Sequence, residues 1–169
     1  FTAAVEIGLS DFSDKIKNSI FAHTLGTELG TGWVRSDLKI PDAPLEVYNF
    51  IIDLGSFIEK AHESDDLRSI NNFNTGIAGT VQKYCSQSGI FRLALKYFPS
   101  ERPDLYTELF ERGFIVERNT GGRKGFYFTT EPIDMRKSFL EFMMALPDRE
   151  KDETNKKIWR QLGEFLAVT

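Results

Sequence analysis

Cysteine is nearly absent from the sequence, which holds a single one, Cys85, in 169 residues. One cysteine can form no disulfide within the chain, and it cannot provide the several thiolates of a cysteine-rich zinc site. Long apolar runs are also absent, and no signal-peptide pattern stands at the start of the chain. These absences predict a cytoplasmic protein in a reducing compartment, with no membrane as a partner.

Histidine is scarce as well, and neither His23 nor His62 stands in a metal-binding spacing such as His-Glu-x-x-His. Residues 26–32 contain three glycines but lack the Lys-Ser/Thr pair of a phosphate-binding loop, so a plain loop is expected there. Cys85 could act as a nucleophile only beside a base that the sequence does not reveal, and a buried structural thiol is expected. We therefore predict no catalytic residue, no metal site, no cofactor and no enzymatic activity.

The chain also lacks an excess of positive charge. Its formal net charge is −4 and its isoelectric point is about 5.3. A protein that coats nucleic acid is normally basic, because Lys and Arg are needed to neutralise phosphates. Any contact with nucleic acid must therefore come from a local patch of cations.

Apolar residues are plentiful, and phenylalanine is unusually frequent with 15 residues. Phe rings bury large areas, so we expect a compact aromatic core, and 169 residues suffice for one such core. The sequence predicts one domain over residues 1–169. Within it we expect an irregular N-terminal part with one helix (1–42), a central part with helices and a hairpin (43–132), and C-terminal helices (133–169).

Apolar side chains recur at helical spacing in several stretches of the chain. The clearest stretch follows Asp42 and Pro44, which suit a helix start, and continues from Leu45 to Ala61. Pro147 is expected to end the first of two C-terminal helices. The predicted helices span residues 11–22, 45–61, 77–84, 90–97, 104–112, 134–146 and 154–167.

A β-hairpin is predicted after the helix that Gly113 ends. Residues 114–118 and 125–130 are rich in aromatic and β-branched side chains, and they flank a turn with two consecutive glycines. Strand alternation should place Phe126 and Phe128 on one face and Tyr127 on the other.

Residues 90–130 have the element order of a winged helix-turn-helix: two short helices, a glycine and a hairpin with a basic tip. Residues 109–118 (LFERGFIVER) and 121–129 (GGRKGFYFT) resemble the recognition-helix end and the wing of bacterial winged-helix regulators of the multiple-antibiotic-resistance and glycine-betaine-regulator types. The resemblance implies a fold that is mainly α with one small antiparallel β-hairpin, and a winged-helix-like core with flanking helices.

The resemblance also implies a nucleic-acid-binding, transcription-regulator-like protein whose hairpin tip contacts the backbone. Cations beside two glycines suit a phosphate or minor-groove contact, and a solvated turn would carry the same residue types. The helix before the hairpin carries Asp104, Glu108 and Glu111, whereas reading of the major groove favours Arg, Lys, Asn and Gln. The candidate nucleic-acid-binding residues are Arg102, Arg112, Arg118, Arg123 and Lys124.

The two C-terminal helices resemble the dimerising helices that these families carry after the wing, and self-association is expected. The candidate interface residues are Phe139, Phe142, Met143, Trp159 and Leu162. The acidic isoelectric point and the acidic helix favour an alternative function, a structural or assembly protein such as a viral or phage subunit or a complex adaptor. In that alternative, the Phe-rich helices pack against neighbouring copies or a partner.

Overall fold

The computed structural model describes residues 19–26, 29–37, 39–42, 46–54, 62–129, 135–150 and 152–168, with the backbone alone for residues 147–150. These residues form five α-helices, two antiparallel hairpins and one short 3₁₀-helix, Val47–Asn49. The strands are β1 (Ile20–Leu25), β2 (Leu29–Val34), β3 (Ile115–Thr120) and β4 (Arg123–Phe128). The helices are α1 (Val81–Cys85), α2 (Gln87–Glu101), α3 (Pro103–Glu111), α4 (Met135–Glu150) and α5 (Glu153–Ala167).

The fold is mixed α/β, and the prediction of a mainly α fold with one hairpin is wrong, because the described residues form two hairpins. The second hairpin pairs β1 with β2, from Ile20 opposite Val34 to Leu25 opposite Leu29. The predicted helix over residues 11–22 is contradicted at residues 20–22, which lie in β1, and residues 11–18 lie outside the described residues.

The glycines near residue 30 do not form a plain loop, because β2 contains two of them. Gly30 faces Thr24 across the hairpin, and a β-carbon at Gly30 would collide with the Thr24 hydroxyl. Glycine at this position leaves room for the Thr24 side chain on the opposite strand, so its presence does not mark a break.

The helix predicted over residues 45–61 is also wrong in its described part. Only Val47–Asn49 is helical, and residues 50–54 are extended. Phe50 accepts a backbone hydrogen bond from Val81 N (2.8 Å), and Ile52 N donates to Gly79 O (2.8 Å). Hydrogen bonds to backbone groups distant in sequence therefore outweigh the helical spacing of the side chains. Residues 45 and 55–61 of the predicted helix lie outside the described residues.

The predicted helices over residues 77–84, 90–97 and 104–112 are confirmed as α1, α2 and α3, but their first and last residues differ. α1 begins at Val81, because Ala78 and Thr80 just before it form isolated β-bridges with Asn71 and Ile51. α2 is longer than predicted: its Ser86 cap accepts from Ser88 N, and the helix passes through Pro99. Pro103 occupies the first position of α3, where the missing N–H costs nothing.

The C-terminal helices are present as predicted, but α4 does not end at Pro147 and continues to Glu150. Asp152 caps α5 by accepting from Asn155 N (2.9 Å), and Asn155 Nδ2 donates to Met143 O (3.0 Å). These bonds fix the start of α5 against α4.

The main core is aromatic, as the phenylalanine content predicts. Phe91 of α2 stacks on Phe139 of α4, with 3.4 Å between ring centroids, and meets Phe128 of β4 edge to face at 4.4 Å. Three elements, α2, α4 and β4, thus meet at the Phe91 ring.

No helix among the described residues has both the length and the apolar content to cross a membrane.

Candidate functional site

The β3–β4 hairpin has the predicted position, pairing Ile115 with Phe128 and Thr120 with Arg123. Its turn consists of Gly121 (φ 59°) and Gly122 (φ 80°), the positive angles that a two-residue hairpin turn requires at both positions. Residue 130 of the predicted second strand lies outside the described residues.

The two faces of β4 differ as strand alternation predicts. Phe126 and Phe128 pack against the main core, whereas Tyr127 lies with Arg118, whose guanidinium is 5.1 Å from the ring centroid. One face of the hairpin therefore holds it on the helices, and the other face and the tip are available for ligands.

Residues 62–68 form a loop that covers the free edge of β4. Leu67 N donates to Phe126 O (2.9 Å), and Arg68 Nη2 donates to Lys124 O (2.6 Å). The sequence predicts a polar loop here but carries no signal for its docking, because the contacts join residues more than fifty positions apart. The loop satisfies backbone groups that an edge strand would otherwise expose.

Asp66 and Arg68 stabilise this loop by an ion pair that contains two hydrogen bonds. Arg68 Nε donates to Asp66 Oδ1 (3.0 Å), and Arg68 Nη2 donates to Asp66 Oδ2 (2.7 Å). Phe126 N adds a longer bond to Asp66 Oδ2 (3.3 Å). Burial alone would raise the pKa of Asp66, but the hydrogen bonds from Arg68 outweigh burial and lower this pKa below its ordinary value.

The loop and the hairpin enclose a groove of about 310 Å³ with charges of both signs. Arg123 approaches Glu63 (3.7 Å) and Lys124 approaches Glu117 (2.5 Å), in pairs whose side chains are all largely exposed. Exposed ion pairs contribute only about 0–1 kcal/mol, so both cations can exchange these partners for a ligand. Arg118, Arg123 and Lys124 are thus brought together at the hairpin tip, as predicted.

The other two candidate nucleic-acid-binding residues are held away from the tip by carboxylates. Arg102 pairs with Asp152 and, through Nε (2.9 Å), with Asp104, and its hydrogen bonds are the main cause that lowers the pKa of Asp104. Arg112 pairs with Glu108, with 2.6 Å from Nε to the carboxylate. These arginines stabilise the two ends of α3, and they do not join Arg118, Arg123 and Lys124.

The residues predicted for an oligomer interface lie mainly in the core of a single chain. Phe139, Phe142, Met143 and Leu162 are buried, and half-buried Trp159 donates from its indole N–H to Met143 O (3.3 Å). Packing within one chain therefore accounts for the apolar stripe that these residues form. Self-association stays a prediction.

Of the groups considered for catalysis, His62 lines the groove beside the hairpin, whereas Cys85 and His23 do not. Burial raises the pKa of the Cys85 thiol to about 12, and this side chain is fully buried. His23 contacts the Thr31 hydroxyl through Nδ1 (3.2 Å), and burial lowers its pKa. The described residues contain no group of three or more His, Cys, Asp or Glu side chains that could hold a metal ion.

Comparison of the chain with protein-family models, with curated proteins and with solved structures finds no match. The resemblance to winged-helix regulators therefore stays a prediction. The function has to be argued from the geometry of the hairpin and its surroundings.

Proposed function

We propose that this chain is a non-enzymatic, cytoplasmic nucleic-acid-binding regulator whose β3–β4 hairpin tip contacts the phosphate backbone. The observation that carries the proposal is the placement of Arg118, Arg123 and Lys124 on one exposed tip. The aromatic core and the ion-paired loop hold the base of that tip. A backbone that is already held in place reduces the entropy lost on binding, because the ligand does not have to order the strands that carry the cations.

The same geometry favours backbone contacts over base reading. Arg102 and Arg112 already bind carboxylates, and α3 carries one further exposed acidic group, Glu111, which phosphates would repel. Contacts with phosphates fix position and carry no direct sequence information. We therefore expect binding with little preference among sequences and a strong dependence on salt.

The test compares wild type with Arg123→Ala/Lys124→Ala in electrophoretic mobility shifts on duplex DNA, single-stranded DNA and RNA over a salt series. Loss of two phosphate contacts should weaken binding to all duplex sequences alike and lower the slope of log affinity against log salt by about two. The matched control is Lys137→Ala/Lys156→Ala, which removes two cations from α4 and α5 and should leave the slope unchanged. Wild-type protein without salt-dependent binding to any of these nucleic acids would refute the proposal.

A structural or assembly role is a second candidate, favoured by exposed apolar side chains outside the main core. Among the described residues, Phe50, Ile51 and Leu54 are each more than half exposed on one extended segment. Surface apolar clusters of this kind mark contacts with a partner or with a second copy. Sedimentation should then show association that Phe50→Ser/Leu54→Ser weakens, with nucleic-acid binding unaffected.

A further inference from the structure

A second cavity, of about 190 Å³, lies between α1, the start of α2, the loop 62–68 and the hairpin. Its charged lining consists of Lys83, Arg118, Arg136 and a single carboxylate, Asp65, and Ser88 adds a hydroxyl from the first turn of α2. Asp65 and Arg118 also line the groove at the hairpin tip, whereas Lys83, Ser88 and Arg136 do not. The cavity therefore has a composition of its own, in which cations outnumber carboxylates by three to one.

Lys83 is the unusual member of this cavity, because it is only 3% exposed. No hydrogen bond or ion pair joins its ammonium group to another residue in the part of the chain that the structure describes. Lysine is almost never buried without a partner, since removing an ammonium group from water costs several kcal/mol. Such a group is suited to an anion that enters the cavity from solution.

The pKa of Lys83 is lowered to about 8, first by burial and then by repulsion from Arg92, while Asp65 and Asp66 act in the opposite direction. The ammonium form therefore still predominates at neutral pH. An anion beside it would raise the pKa again, so binding and protonation of Lys83 should favour each other.

The two arginines of the cavity keep their hydrogen-bond donors for a ligand. Arg136 stacks over the Phe128 ring (4.3 Å to the centroid) and Arg118 over the Tyr127 ring (5.1 Å), and neither makes an ion pair with another described residue. A guanidinium that stacks on a ring keeps its N–H groups for other partners, and a planar guanidinium can make two-bond contacts with an oxyanion.

We propose that this cavity binds a small doubly charged oxyanion, namely phosphate, either free or as a small phosphate monoester. Three cations against one carboxylate complement a dianion. The volume lies below the roughly 300–1,000 Å³ of sites for drug-sized ligands, which excludes a nucleotide. The site shares Arg118 with the proposed nucleic-acid contact. Lys83 and Arg136 do not line the groove that holds Arg123 and Lys124, so phosphate binding can be tested separately from nucleic-acid binding.

The direct test is calorimetric titration of the full chain with inorganic phosphate, glycerol phosphate and acetate at fixed ionic strength. We expect phosphate to bind and acetate not to, and the ratio of phosphate to glycerol phosphate affinity shows which source the site prefers. Lys83→Met and Arg136→Gln should each lower the affinity about tenfold or more, the equivalent of about 1.4 kcal/mol. Lys156→Gln, at an exposed position of α5 away from both sites, is the matched control, which should bind phosphate like the wild type.

Lys83→Met removes a buried charge, so it should fold at least as well as wild type. Circular dichroism checks that Lys83→Met is folded. Arg136→Gln tests the same cavity through a second residue. Wild-type protein that binds no oxyanion, or Lys83→Met protein that binds phosphate as wild type does, would overturn the proposal. Loss of nucleic-acid binding in Arg123→Ala/Lys124→Ala with intact phosphate binding would separate the two sites.

A pH series with sulfate gives a second readout, because sulfate keeps its charge from about pH 7 to about pH 9 and phosphate does not. Affinity should fall as the pH rises past about 8, where Lys83 loses its proton. The charged groups near Lys83 are Arg92, Arg118, Arg136, Asp65 and Asp66, and burial raises the pKa of Tyr127, which also lines the cavity. The fall should be absent in Lys83→Met, and a fall that persists there would contradict the assignment.

Discussion

At the scale of single residues, Asp66 determines how the loop meets the hairpin. Its two carboxylate oxygens accept from the Arg68 guanidinium and from Phe126 N, although its side chain is almost fully buried. Arg68 then continues the link by donating to Lys124 O. One carboxylate therefore organises donors from the loop and from β4, and it holds the base of the proposed phosphate-binding tip.

Replacement of this carboxylate tests the link. Asp66→Asn should lower the free energy of unfolding by about 1–3 kcal/mol, because charged hydrogen bonds are lost and Arg68 remains partly buried. Glu63→Gln, at an exposed position of the same loop, should change stability by less than about 0.5 kcal/mol. Urea unfolding measures both, and equal effects would show that the buried pair does not hold the loop.

The lowered pKa of Asp66 predicts that the stability of the fold depends on pH. The pKa of Asp66 in the folded chain is lower than its ordinary value of 3.8. The unfolded chain therefore takes up a proton first, so the stabilisation is complete above that ordinary value and is lost as pH falls through the lower, folded pKa. Thermal unfolding in acid should show a smaller loss of stability for Asp66→Asn than for wild type. Equal losses of stability in acid for Asp66→Asn and wild type would contradict the stabilising role assigned to the Asp66 carboxylate.

At the scale of elements, the sequence predicted what depends on neighbours along the chain. The β3–β4 hairpin and the end of α3 follow from local signals: paired glycines, β-rich runs, and Gly113 just after the helix. The β1–β2 hairpin and the extended segment 50–54 depend on backbone partners outside the segment itself. Helical spacing of the apolar side chains therefore predicted helices in these two places, wrongly. The docking of loop 62–68 and the cavity around Lys83 are tertiary features, and no local pattern indicates them.

Gly79 shows how such a distant partner is accommodated. Both Gly76 (φ 70°) and Gly79 (φ 75°) have left-handed backbone, but only a β-carbon at Gly79 would collide with the Asp53 carbonyl group. Gly76→Ala should cost about 1–2 kcal/mol for its backbone angle alone. Gly79→Ala should cost clearly more, because the extended segment must also move. Equal losses in chemical denaturation would mean that this contact does not fix residues 50–54.

At the scale of the whole molecule, the C-terminal helices and the hairpin share one aromatic core. Phe114 contacts both Phe139 and Phe142 of α4, and Phe91 joins that helix to β4. The apolar stripe of a core helix and that of a dimerising helix look alike in sequence, because both bury one face against other helices. Only the assembled fold distinguishes the two, and here the stripe is largely buried within one chain.

The double variant Phe142→Ala/Trp159→Ala therefore tests the organisation of the whole molecule. Removal of a buried aromatic ring costs about 3–5 kcal/mol, and typical domains have only about 5–15 kcal/mol of stability. We expect a large drop in unfolding temperature or global unfolding, because Phe142 is buried and Trp159 bonds to Met143 O. Met144→Ala, at an exposed position of α4, is the matched control and should stay within about 0.5 kcal/mol of wild type. Calorimetry follows the unfolding, and sedimentation follows the mass. A folded monomer obtained from a dimeric wild type would contradict the core assignment, and it would show that the C-terminal helices form the interface that the sequence predicts.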